Sequence, residues 1–318
     1  MTIISKPSVK ELSATMTDFV IATDKTINFK VKVGGNVLLD EDYSPDKIGQ
    51  VRTHRLGDYL AQTLWGEFPN GSPFHQSNLC KTFDFYIDDV QQCSTELLRS
   101  CRVVPHIDTT TFLTCGNACC TRPGALEYIN TCQQGASVYV SSGSKEVLLG
   151  VSGQVTTFDV SFNTVAKILG ILPHGMYKVR CNGASIVYSI DSKTYDEIVQ
   201  FRYKNLFDAP DTINAVGGLT IKGGDKSKTG FLYGVERKFD GAISDEYNCS
   251  SGVIFTVAQY QKWHDFLNSR EVEILKDGVW YPIIISKQDF GKKLNSLYFE
   301  EVKFTFRMAD KSQNGVLL

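Results

Sequence analysis

The sequence lacks most of the features that announce a function. No run approaches the ~20 apolar residues a membrane helix requires, although 42% of the 318 residues are hydrophobic. Charge of one sign is missing: 33 Lys and Arg stand against 35 Asp and Glu, a formal net charge of -2. Nothing global therefore draws the chain to nucleic acid. The start, Met1-Thr2-Ile3-Ile4-Ser5-Lys6, lacks the charged and then apolar regions of a secretory signal. The expectation is a product that stays in the cytoplasm or leaves by another route, such as lysis. No heptad run, long low-complexity tract or convincing internal repeat occurs.

Motifs of chemistry are missing as well. His54, His75, His106, His174 and His264 show neither H-x₃-H nor H-E-x-x-H spacing, and no G-x-S-x-G elbow is present. The nine cysteines are an odd number, and Cys80, Cys93, Cys101, Cys181 and Cys249 are scattered. Cys115, Cys119, Cys120 and Cys132 cluster as C-x₃-C-C-x₁₁-C near His106. Structural zinc sites pair short spacings such as C-x₂-C, so the expectation is free, reduced thiols with no metal and no cofactor. Gly223 to Gly230 faintly resembles a phosphate loop but lacks the Gly-Lys-[Ser/Thr] junction. It reads instead as a mobile, solvated loop. Gly223, Gly224, Lys226, Lys228 and Gly230 are the candidate interface residues should the protein assemble. The acids Asp42, Asp46, Asp84, Asp88 and Asp89 could pair as glycosidase carboxylates, but alternating acids on a strand usually form its solvated face. His264, between Trp263 and Asp265, reads as a polar helix position, and Trp65, Trp263 and Trp280 read as core.

What is present is alternation. Ile27, Phe29, Val31 and Val33 alternate with polar residues, as do Phe83, Phe85 and Ile87, and later Tyr177, Val179 and Cys181. Strands at roughly ten-residue spacing with Gly, Asn and Pro punctuation describe β-sandwich or barrel units. The fold class is mainly β and multi-domain, with a few short helices. Three units are expected: 1–105, 106–204 and 205–318. Leu56, Tyr59, Leu60 and Leu64 mark a helix, and Leu126 to Cys132 a brief second one. Val155 to Phe162 reads as a strand. Near the end, Thr256 and Gln259 form a capping box before Val257, Tyr260, Trp263, Phe266 and Leu267 at helical spacing, over 256–269. Lys276-Asp277-Gly278 then turns a hairpin. A last strand sets Val302, Phe304 and Phe306 against Lys303, Thr305 and Arg307.

Residues 196–310 resemble the C-terminal part of the uncharacterised tail-associated structural protein family of Bacteroidales prophages. The run from Val199 to Pro210 (VQFRYKNLFDAP), Ser251-Gly252, Leu267 to Val272 and Leu297 to Glu300 carry the resemblance. Leu38 to Asp46 (LLDEDYSPD) is similar to the opening of the same proteins. The order helix, hairpin, ladder also resembles distal-tail and tail-tube β-domains of long-tailed phages. That resemblance implies a virion component made in the host cytoplasm and without catalytic residues. Its partners would be itself, as a ring oligomer, and neighbouring tail proteins, with no nucleic acid and no membrane insertion. The rival expectation is a carbohydrate- or surface-binding, adhesin-like module; a glycan-active enzyme is a third.

Overall fold

Alternation becomes sheet wherever one face finds something to bury against. The computed structural model describes residues 1–101, 111–114, 116, 118–223, 228–239, 245–289, 301–313 and 316–317. Strands dominate, and the fold is mainly β and sandwich-like. Three helices occur among the described residues: α1 (Leu56–Ala61), α2 (Phe162–Leu169) and α3 (Val257–Leu267).

The N-terminal sheet runs, in spatial order, Lys10–Leu12, Val90–Leu98, Cys80–Ile87, Ile27–Val33 and Asn36–Tyr43. Its inner face buries Phe29, Val31, Phe83 and Phe85 under Phe19 and Leu60. The Phe19 ring lies 5.2 Å from both Phe29 and Phe85. A middle sheet of five strands packs Val138, Val140, Tyr177 and Tyr188 against α2. The C-terminal sheet has seven strands: Pro210–Ala215, Val199–Lys204, Val272–Lys276, Val279–Asp289, Lys303–Met308, Glu246–Ser250 and Leu219–Lys222. Trp263, Phe266 and Leu267 of α3 cover it above Phe201, Ile274, Phe304 and Phe306.

Most of the expected elements form. The capping box is made: Thr256 Oγ1 accepts from Gln259 N at 3.1 Å, and Gln259 Oε1 accepts from Thr256 N. Asp277 and Gly278 both take positive φ, as the tight hairpin demands. Three readings need correction. Leu126 to Cys132 contains a strand, Tyr128–Thr131, paired residue for residue with Thr156–Asp159. Its residues Ile129–Thr131 are all buried, so no period of two survived to mark it. Phe162 opens α2 instead of ending a strand. The Asp159 carboxylate accepts from Ser161 N at 2.9 Å and from Thr164 Oγ1 at 2.8 Å, which starts the helix. Val199–Lys204, assigned by sequence to the middle unit, pairs with Pro210–Ala215 and Val272–Lys276 in the C-terminal sheet.

The N-terminal sheet, the small sheet that pairs Tyr128–Thr131 with Thr156–Asp159, and the C-terminal sheet meet at Asn205–Leu206–Phe207–Asp208–Ala209–Pro210. Asn205 Oδ1 accepts from Phe207 N and Ala209 N, which closes the turn, while its Nδ2 donates to Leu113 O at 3.0 Å. Asp265 of α3 accepts from Leu206 N at 3.1 Å. Asn130 Nδ2 donates to Pro210 O at 2.8 Å, and Cys101 N to Leu206 O at 2.6 Å. Asp208, at φ 59°, accepts from Gly66 N and lies 3.2 Å from Arg99 Nε. Leu206, Phe207 and Ala209 share a buried cluster with Leu79, Leu98 and Leu113. The stretch that opened the third unit in the sequence is thus the joint of the molecule.

Candidate functional site

One element has no core to serve. Among the described residues, strands Lys228–Leu232 and Val235–Phe239 pair with each other alone, as a two-stranded sheet inserted between Leu219–Lys222 and Glu246–Ser250. We call this hairpin the arm. Its turn places Tyr233 at φ 53° and Gly234 at φ 78°, the positive pair a two-residue hairpin requires. Phe231 is 77% exposed and Tyr233 96%, with Leu232 and Val235 exposed beside them. Four neighbouring large apolar side chains in water, at a tip, mark a contact surface. Glu236 and Arg237 are exposed, and neither has an ion-pair partner among the described residues.

The expected interface loop is therefore partly strand. Lys228 and Gly230 lie inside the first arm strand, and Gly223 follows the strand Leu219–Lys222 with nothing within 4 Å of an added Cβ. Gly224 and Lys226 lie outside the described residues. The glycine-rich composition gave the solvated location but not the strand, which begins at Lys228.

The other sequence candidates disperse. Asp88 and Asp89 form a surface hairpin turn, Asp42 accepts from Asn28, and Asp84 accepts from Ser94 on the outer face of the N-terminal sheet. Cys119 and Cys120 sit on the strand Ala118–Thr121, whereas Cys132 belongs to the joint. Burial pushes the Cys119 thiol up to about 12, which keeps it protonated. Cys115 and His106 lie outside the described residues. Among the described residues no group of three or more His, Cys, Asp or Glu could hold a metal ion, and no helix is long and apolar enough to cross a membrane. Of the tryptophans, Trp263 is core but Trp65 is half exposed. Trp280 faces away from α3, with the Arg202 guanidinium 4.6 Å from its ring centre and 4.4 Å from that of Phe68.

Sequence reasoning missed a buried ionic cluster. Lys262 of α3 lies 3.1 Å from Asp211 and 3.4 Å from Glu127, and Thr212 and Asn214 donate to the Glu127 carboxylate at 3.3 Å. Positions 127, 211 and 262 share no local pattern, so no spacing could have joined them. Burial raises Glu127 to about 6, above its ordinary 4.5. Burial pulls Lys262 down, but Asp211 and Glu127 outweigh it and hold the ammonium well above its usual range. For Glu127 a raised carboxyl favours the protonated fold. Its contribution is complete below pH 4.5 and is lost as pH rises through about 6. On acidification from pH 7 to 4.5, wild type should gain about 2 kcal/mol relative to Glu127→Gln. Urea unfolding of both proteins at the two pH values reads this difference; equal pH slopes would refute it.

A groove of about 890 Å³ lies at the end of the Leu219–Lys222/Glu246–Ser250 pair away from the arm. Tyr195, Glu197, Leu219, Asn248, Lys287 and Phe304 are among its walls. No family model and no curated protein matches the chain. Among solved structures it is similar to a tri-modular GH5 (subfamily 4) endo-beta-1,4-glucanase from Bacillus licheniformis complexed with cellotetraose, at 10% identity and a TM-score of 0.19. The match spans 57% of this chain and 37% of that one. At that score the likeness supports no statement about fold or activity.

Proposed function

We propose that this chain is a non-enzymatic structural protein that works by associating with copies of itself and with neighbouring proteins. The arm carries the reading. Among the described residues the hairpin pairs with no other strand, and its apolar tip gains free energy when another surface covers it. The sequence resemblance supports a phage or prophage tail as the setting, and the virion as the destination.

The test is the oligomeric state. Phe231→Ser with Tyr233→Ser removes the exposed tip without touching any buried group. Light scattering should show wild type associating with rising concentration and the double variant dispersed, at an unchanged melting temperature. Association that ignores the tip would remove the arm from the proposal. The groove beside Leu219 favours the second reading, a carbohydrate- or surface-binding module. A glycan that raises the melting temperature of a strictly monomeric chain would put that reading first.

A further inference from the structure

The arm is a two-stranded sheet with two open edges. A hairpin of that size is marginal in water unless a third strand or an apolar surface joins it. Its charge is largely of one sign, Lys228, Arg237 and Lys238 against Glu236. The longest open sheet edge among the described residues is the eight-residue strand Asn36–Tyr43, which pairs on one side only, with Ile27–Val33. That strand carries the opposite sign: Asp40, Glu41 and Asp42 are exposed, Asp46 follows, and positions 33–46 contain no Lys or Arg. Lys30 neutralises Asp40 in part, at 3.4 Å. Glu41 and Asp42 have only neutral partners, Tyr43 Oη and Asn28 Nδ2. The next longest open edge, Lys145–Val151, has one Lys and one Glu and offers no such contrast.

Resting on the assembly reading above, we infer that the arm of one copy adds as a strand to the acidic Asn36–Tyr43 edge of a second copy. Backbone groups left open at both edges supply the hydrogen bonds, and the opposite charges select the partner and favour encounter. The two surfaces differ, so the contact is heterologous: every copy in a pair still has a free arm or a free edge, and addition continues. An apolar tip flanked by basic residues would also suit an anionic lipid surface. The acidic edge on the same chain favours the second copy.

Sedimentation velocity over rising concentration tests the pairing. Arg237→Glu and Asp42→Lys each place like charges across the contact, and each should weaken association by about tenfold or more. A chain carrying both changes should recover most of the wild-type association. Single variants that associate like wild type, or a double variant as weak as the singles, would overturn the pairing. If Phe231→Ser with Tyr233→Ser still disperses the protein in that case, the arm remains a contact and only the acidic edge is excluded. A wild type that stays monomeric up to about 100 μM, the scale of weak association, would sink both readings. So would a monomer that binds phosphatidylserine vesicles through its tip.

Discussion

Trp263→Ala is expected to destabilise the C-terminal sheet by about 3–5 kcal/mol, the range for truncating a buried aromatic. Trp263 is 5% exposed, with its ring 5.4 Å from Phe266 and 6.0 Å from Phe304. α3 has only 11 residues, and a helix that short holds its shape through packing more than propensity. Its docking also positions Lys262 between Asp211 and Glu127, and Asp265 at Leu206 N. Losing the anchor should therefore loosen both the cluster and the joint. Denaturant unfolding measures the cost, and amide exchange in 257–267 should rise with it. Val257→Ala, at a half-exposed position on the same helix, should change little. A cost for Trp263→Ala below about 1 kcal/mol, the level of a typical single substitution, would mean that α3 is not anchored as described.

Gly66→Ala should be nearly as damaging. A Cβ there would stand 1.9 Å from Asp208 O and 3.0 Å from its carbonyl carbon. Neither side can yield easily. Gly66 N is bonded to the Asp208 carboxylate, and Arg99 beside that carboxylate donates to Ala61 O and Leu64 O. Asp208 itself sits in the left-handed region within the buried turn. The cost should be about 3 kcal/mol or more, combining overpacking with disturbance of a buried ion pair. Gly71→Ala is the control, since nothing lies within 4 Å of its added Cβ. Urea midpoints that move equally for both would show that Gly66 and Asp208 are not the tight contact between the first unit and the joint.

Both predictions concern contacts between residues far apart in the chain, and this is where the sequence was least informative. The alternating strands Ile27–Val33, Cys80–Ile87 and Lys303–Met308 were legible because each has one buried and one wet face, so its period of two is written in its own residues. α3 was legible for a similar reason: its capping box and its apolar spacing are local. Tyr128–Thr131 was not, because Ile129, Asn130 and Thr131 are buried in succession, which erases the period.

The candidate contact surface was half legible. Glycine and lysine at 223–230 pointed to an exposed excursion, because such residues bury little. That the excursion continues as a paired hairpin with Phe231 and Tyr233 in water is decided by how the chain packs, which no local pattern records. The sequence alone determined a mainly β chain, its C-terminal helix and hairpin, and a net charge of -2. Tertiary structure decided the joint at Asn205–Pro210, the burial of Glu127 with Asp211 and Lys262, and the placing of Trp280 outside the core. Each of these depends on which surfaces meet across long separations in the chain, and periodicity reports only whether a face is buried, never against what.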